Sequence, residues 1–527
     1  MPSIGRRDFL KLGTAVAGGV GLSSARPLIK LLAGDAQKPN IILVLMDAMS
    51  ASNLSLYGYP RPTSPNLQKF AEQAIVYHAH HAASNFTTAG TASMLTGLYP
   101  WTHRAINFRG LVKRSIEHRN MFSMIGSKYH CLAFSQNPWV NLLLGQMAQD
   151  LDEYLALGEF AYQQNLPLLA ELFPADYPTA YMAFEDFLGA NNFNQDPGSI
   201  TLGFFSLLSA RRNQIKTAPK YPNGLPSNFY TYFRIEDLMI GIAKSLERLE
   251  KTNPPFFAYY HLLPPHAPYQ PRRDFLGLYR QDGLVPTRKP EHPLAEARQT
   301  DERLIRIRLT YDQYVTNLDH EFGIFVEGLE ASGILEKSYL IVTSDHGEIF
   351  ERGEQGHGTP LMYEPVTRIP LLVRAPGQRS RVNVDALTSN VDLLPTLLSL
   401  AGQPIPDGLE GRILPSLGGA DDSERGIFSV FAKESSAFLP LAKAVVTMNK
   451  SDLKMIYYRG YNGFDGKCEF YNLKDDPEEM NDLGAHLPAE DGRRVGHAHV
   501  RDEVLAVPRE ARVRPNVDGH IEITGRA

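Results

Sequence analysis

The stretch Pro39–Ser50, PNIILVLMDAMS, decides the fold. Ile41 to Met46 is an unbroken apolar run, and Asp47 closes it. A strand with one wet face alternates apolar and polar residues. A continuous run instead predicts a parallel strand covered on both faces. Two later segments share this shape. In PPFFAYYHLLPPHAPY a strand over Phe256–Tyr260 runs into His261 and His266. In SYLIVTSDHGE a strand over Tyr339–Thr343 runs into Asp345 and His346. Between them, Tyr311–Gly333 carries Val315, Leu318, Phe322, Phe325 and Leu329 at helical spacing. Strands alternating with helices imply an α/β class with a mostly parallel central sheet flanked by helices. Ligands of such sheets bind beyond the carboxyl ends of the strands, where all three runs place their polar residues.

The 527 residues suffice for one large domain or two, and 43% are hydrophobic. A formal net charge of −5 gives no reason to expect nucleic acid. The two cysteines, Cys131 and Cys468, exclude a disulfide scaffold and any multi-cysteine metal site. Residues 1–36 contain Arg6 and Arg7, followed by a weakly apolar, glycine-rich run. That segment resembles a twin-arginine export signal, which implies export machinery for folded proteins and a periplasmic or extracellular destination. Residues 38–403 form the expected catalytic α/β domain. Within it, residues 141–253 read as a helical insertion or lid, or equally as helices covering a sheet face. Residues 404–484 are turn-rich and then strand-like, predicting a small C-terminal β-rich subdomain. Residues 485–527 form a polar tail.

Asp345 and His346 are adjacent, His357 follows in GEQGHGTPLMYEP, and Asp47 offers a further carboxylate. Mixed oxygen and nitrogen ligands favour Zn, Mn or Fe over Ca as the divalent metal, with one or two ions. His78, His80 and His81 in VYHAHHAAS also look like a cluster. They precede a helix and read more simply as packing or surface residues. Asn137 in SQNPW follows another strand and is placed to donate to a substrate anion, and His261 is assigned to the substrate as well.

Taken in order, NIILVLMD, YGYPRPTSPNLQKFAEQAIVYHAHHAAS, ASMLTGLYPWTH, PPHAPY, TSDHGE and GHGTPLMYEPVTRIPLLVRAPG resemble the sulfatase family of the alkaline phosphatase superfamily. NVDLLPTLLSLAGQPIPDGLEGRIL and EFYNLKDDPEEMNDL extend the likeness across roughly Asn40 to Leu483. The resemblance implies a metal-assisted hydrolase of phosphate or sulfate esters. It implies Asp47, Asp345 and His346 as metal ligands, and His266 as a contact to the anionic group or the leaving oxygen. It places His357 at the transferring group or at a second metal. The substrate it implies is a small-molecule, lipid or glycan ester.

One departure bears on mechanism. Formylglycine sulfatases carry Cys or Ser in a Cys/Ser-Xaa-Pro-Xaa-Arg motif. Counting back from MLTG, that position falls on Thr87, with Ala89 for the proline and Thr91 for the arginine. Ala48 stands where those enzymes usually place another acidic ligand. Thr87 is therefore expected to be a metal-bound nucleophile at the start of a helix, with Thr88 in reserve. A plain helix N-cap is the competing role for Thr87. Threonine lacks the second hydroxyl by which formylglycine hydrate expels sulfate, so phosphoryl chemistry ranks first. A transferase of lipid or glycan head groups, a true sulfatase without formylglycine, and a weakly catalytic binding protein remain alternatives.

Overall fold

The computed structural model describes residues 38–485, apart from 165–166, 174–179, 181–207, 209–210, 229 and 433–442. The expected export signal, most of the insertion's centre and the polar tail lie outside the described residues. Strand β1 (Asn40–Met46) is the centre of an eight-stranded sheet. The others are β2 (Ile75–Tyr77), β3 (His130–Ser135), β4 (Glu153–Tyr154), β5 (Phe256–Leu262), β6 (Ser338–Thr343), β7 (Leu371–Arg374) and β8 (Val382–Val384). Their order is β8-β2-β7-β6-β1-β5-β3-β4. The strands run parallel except β7, which is antiparallel to both β6 and β2.

Both faces of β1 are buried, which explains its unbroken apolar run. Ile42, Val44 and Met46 enter a core with helices α1 (Pro65–Ala71), α4 (Ile235–Thr252) and α5 (Asp301–Ala331). Ile41, Leu43 and Leu45 face the opposite core with α2 (Thr87–Thr96), α3 (Pro138–Gln146) and α6 (Leu393–Leu400). Helix α5 begins ten residues before the expected Tyr311. Its N-cap Thr300 accepts from Arg303 N, and Asp301 and Glu302 occupy the first turn. The described ends of the 141–253 segment cover the sheet: α3 packs on one face and α4 on the other.

Beyond the sheet, β9 (Gly426–Phe431), β10 (Ala444–Lys450), β11 (Leu453–Arg459) and β12 (Cys468–Asn472) form an antiparallel four-stranded sheet. It is the small C-terminal subdomain. Phe431, Val445, Ile456 and Tyr458 pack there against Phe86, Tyr363 and Val366 of the larger body. Among the described residues, no helix is long and apolar enough to cross a membrane. Cys131 and Cys468 form no disulfide, and Cys131 is buried in β3.

Candidate active site

The carboxyl ends of β1, β5 and β6 converge, as the sequence predicts. The amide of Asp47 donates to Leu262 O across the β1–β5 edge (2.9 Å). Ala48, with φ of 60°, adopts a left-handed turn that points its amide at Asp345 Oδ1 (3.3 Å). Such a turn costs a non-glycine residue about 1 kcal/mol. Tyr311 holds it from both sides, donating to Ala48 O (2.7 Å) and accepting from Ser50 N (3.1 Å). Ala48 thus contributes a backbone donor where an acidic side chain was the family expectation.

Helix α2 reaches the same point. A Cβ at Gly90 would lie 2.4 Å from Asp345 O, so only glycine lets α2 press against that backbone. Thr87 is the first residue of α2, and the N-cap is Phe86. The N-cap role is therefore excluded for Thr87. Its Oγ1 lies 3.2 Å from His346 Nε2 and 3.5 Å from Asn137 Nδ2. Carbonyls only accept, so the His346 Nδ1–H must donate to Gly347 O (2.9 Å). The Nε2 lone pair then faces Thr87, Asp47 Oδ1 (3.5 Å) and Asp345 Oδ2 (3.6 Å). Thr88 has a different partner: its hydroxyl donates to Phe108 O (2.7 Å).

One sequence assignment, His261, is corrected by this geometry. His261 does not sit on the substrate side. It continues β5 in register beside Leu45 of β1, and its Nε2 lies 3.2 Å from Asp47 Oδ2 and 3.8 Å from Asp345 Oδ2. Tyr259 OH contacts its other nitrogen (3.1 Å). Asn137 lines the cavity beside Thr87 and is also tied into the site. Its Nδ2 donates to Asp47 Oδ2 (2.7 Å), while its Oδ1 accepts from Trp139 N (2.9 Å) and caps α3.

The Asp47, His261 and Asp345 ligand atoms lie within 4.8 Å of one another, all buried. Asp47 Oδ1 and Asp345 Oδ2 have no hydrogen-bond partner, a costly state for buried carboxylate oxygens. Burial and the neighbouring Asp47 charge push the Asp345 carboxyl up to about 7. Burial also pushes Asp47 up, but the His266 charge and the His261 hydrogen bond outweigh it and hold Asp47 low. Burial and the His357 charge push the His346 imidazole well below its ordinary range, so it is a neutral nitrogen donor. Buried carboxylates with orphaned oxygens beside the neutral His346 imidazole fit a divalent cation. The mixed donors favour Zn, Mn or Fe.

His266 and His357 stand on the open side. The His357 ring lies 4.3 Å from the His346 ring centroid and 4.8 Å from that of His266. His266 Nδ1–H donates to Ala267 O (2.6 Å), leaving Nε2 available. Glu348 went unassigned in the sequence, although it ends TSDHGE. It is buried, and its Oε1 lies 3.0 Å from His357 Nδ1. The hairpin Ile349–Glu351/Glu354–Gly356 pairs Ile349 with Gly356 and so folds His357 back onto Glu348. Burial would lower the His357 pKa, but the Glu348 charge and hydrogen bond outweigh it and raise the value. A cavity of about 390 Å³ opens over Thr87, Asn137, His266 and His357.

The early histidines lie elsewhere. His81 meets Glu364 (3.2 Å), which pairs with the buried Lys454 (3.0 Å), while His80 bonds Thr388 and His78 bonds Asn383. They bind no common point and hold the packing of the two sheets instead.

Comparison with known proteins gives the family and agrees with the fold. The sulfatase family model matches residues 39–403, and the N-sulphoglucosamine sulphohydrolase C-terminal model matches residues 353–491. The Ulvan-active sulfatase of Formosa agariphila is 24% identical over 454 residues, covering 85% of this chain and 77% of that protein. The arylsulfatase of Clostridium perfringens is 23% identical over 474 residues, covering 85% and 90%. Among solved structures, the phosphonate monoester hydrolase of Agrobacterium radiobacter superposes with a TM-score of 0.64 at 19% identity, covering 92% of this chain and 99% of that one. A 2-O GAG sulfatase superposes at 0.60 and 15% identity, covering 89% and 92%. The chain belongs to the sulfatase family, and so to the ester hydrolases of the alkaline phosphatase-like superfamily.

Proposed function

We propose that the chain hydrolyses phosphate or phosphonate esters with Thr87 as the nucleophile and a divalent cation in the site. One observation carries the reading: the Thr87 hydroxyl stands against the His346 Nε2 lone pair, above two buried carboxylates with orphaned oxygens. Asp47, Asp345, His346 and His261 would hold the cation, with Thr87 beside them. When bound, it would polarise the ester's anionic oxygens and lower the pKa of a hydroxyl next to it.

The side chains divide the remaining work. Asn137 fixes the Asp47 carboxylate through Nδ2, and Tyr259 orients His261. Thr87 Oγ attacks phosphorus as its proton passes to solvent in the cavity, and the bond from phosphorus to the ester oxygen breaks. The departing oxygen takes a proton from His357 or His266, both of which line the cavity beside Thr87. Glu348 accepts from the Nδ1–H of His357 and leaves its Nε2 to face the reaction. Water then displaces the threonine from phosphorus and releases the product.

Trapping tests this mechanism. Rapid acid quench during turnover of an aryl phosphate should leave a phosphoryl group on the peptide containing Thr87, detectable by mass spectrometry. Steady turnover with no labelled peptide, under conditions where hydrolysis of the intermediate is limiting, would remove Thr87 from the covalent role. Sulfate esters are the second reading, because the matched relatives are named sulfatases. Their hydrolysis here requires attack on a sulfated threonine rather than elimination from a hydrate.

Export through the twin arginines is proposed alongside, motivated by Arg6 and Arg7 before an apolar run. Replacing both with lysine should hold the precursor in the cytoplasm. Undiminished export of that variant would rule the route out.

A further inference from the structure

The cavity over Thr87 is walled unevenly. Its lining combines the reacting groups, Thr87, His266 and His357, with the apolar Phe108, Trp139, Leu263 and Pro268 and the polar Ser227 and Asn228. Among the described residues that line it, none is lysine, arginine, aspartate or glutamate.

The apolar wall is built by the same turns that place the reacting groups. Asn137 caps α3 by accepting from Trp139 N (2.9 Å), so one short turn fixes both the Asp47 contact and the indole. The Arg109 guanidinium lies 5.5 Å from the Trp139 ring centroid and braces one face of it. Thr88 donates to Phe108 O (2.7 Å), and the Phe86 ring meets Phe108 edge-on at 5.7 Å. The adjacent threonines thus have separate tasks: Thr87 faces the reaction, and Thr88 holds the wall. Phe108 is 40% exposed, so its ring is open to a ligand.

We propose that this wall is the leaving-group subsite, and that Trp139 and Phe108 select esters whose alcohol portion is aromatic or otherwise apolar and uncharged. The proposal rests on the hydrolase reading above. An aromatic ring seated between Trp139 and Phe108 gains apolar burial and stacking. A polyanionic glycan would find no lysine or arginine among the described lining residues and would lose hydration there.

The test compares 2-phenylethyl phosphate with 2-hydroxyethyl phosphate, whose leaving alcohols have similar acidity, so that chemistry and binding separate. The metal-loaded full chain should prefer the phenyl ester by about ten-fold or more in kcat/KM. Trp139→Ala should shrink that preference to within about three-fold, and Trp139→Phe should retain most of it. Thermal melting of each variant checks folding. Equal kcat/KM for the two esters, or an equal loss on both in Trp139→Ala, overturns the proposal. If neither ester is turned over, the hydrolase reading has failed and the subsite is judged by calorimetry. The non-hydrolysable 2-phenylethylphosphonate should then bind about ten-fold more tightly than 2-hydroxyethylphosphonate. Equal affinities overturn the subsite on that measurement.

Discussion

Glu348 Oε1 lies 3.0 Å from His357 Nδ1, and the opposite nitrogen of that imidazole belongs to a ring in van der Waals reach of His346 and His266. A buried carboxylate in that position fixes the tautomer and strengthens the imidazolium. Glu348→Gln keeps the shape but removes the charge. It should lower kcat by about 10- to 100-fold on alkyl esters, whose leaving oxygens need a proton. On 4-nitrophenyl esters, which leave without one, the loss should be several-fold smaller. A uniform loss across leaving groups would reduce Glu348 to a structural residue.

The two central carboxylates make a second prediction. Without a cation, Asp47 and Asp345 crowd buried charge together, and Asp345 is pushed up to about 7 as a result. Asp345→Asn should therefore stabilise the metal-free protein, by an amount on the order of 1 kcal/mol. The same change should abolish stabilisation by added metal, which for the parent reaches about 2.7 kcal/mol at a hundred times Kd. Thermal melts with chelator and with excess Zn or Mn decide it. A metal-dependent shift that survives in Asp345→Asn would remove this residue from the ligand set. His346→Ala should lose metal in the same way.

Much of this site was legible because burial on both faces marks a central strand. β1, β5 and β6 showed themselves as continuous apolar runs, and the polar residue ending each run belongs to the site. What was not legible depended on register and on hairpin closure. His261 looked like the first residue past a strand, yet β5 continues through Leu262 and pairs His261 with Leu45. Only that cross-strand register shows that Asp47, two residues beyond Leu45, can reach back to it. Glu348 and His357 are nine residues apart, and nothing in their spacing announces that a hairpin joins them. Asn137 was placed correctly at a strand end. Its bond to Asp47 was not legible, because the two lie ninety residues apart in sequence.

A third prediction concerns pH and the C-terminal sheet. The Glu469 carboxylate of β12 accepts from Tyr363 OH (2.8 Å), Tyr471 OH (2.8 Å) and Tyr458 OH (3.0 Å), with His292 Nε2 at 3.2 Å. Burial pushes its pKa up, but the His292 and tyrosine hydrogen bonds outweigh that and hold it below its ordinary 4.5. The folded state then releases this proton more readily than the unfolded chain. Its stabilisation is present above the unfolded value and is lost as pH falls through the folded one. The stability difference between the parent and Glu469→Gln should be steady from about pH 6 to 7 and shrink below about pH 4.5. A difference that instead grew on acidification would show that Glu469 is protonated in the fold.

The last prediction separates the adjacent threonines. Thr87 Oγ1 faces His346 Nε2, while Thr88 Oγ1 is occupied by Phe108 O. If Thr87 is the nucleophile, Thr87→Ala removes the atom that forms the covalent bond, and turnover should fall by orders of magnitude. Metal binding should persist, because Asp47, Asp345, His346 and His261 remain. Thr87→Ser keeps the hydroxyl and should retain measurable activity. Thr88→Val removes only the bond to Phe108 O. It should cost about 1 kcal/mol in stability and weaken discrimination between phenyl and hydroxyl esters, while kcat on methyl phosphate changes by less than about three-fold. Phe86 is the N-cap, so neither variant deletes a cap, and a large rate loss in Thr87→Ala cannot be charged to helix fraying. Parental kcat in Thr87→Ala together with loss in Thr88→Val would shift the nucleophile by one residue. Parental kcat in both would leave water as the attacking group and Thr87 as a positioning residue.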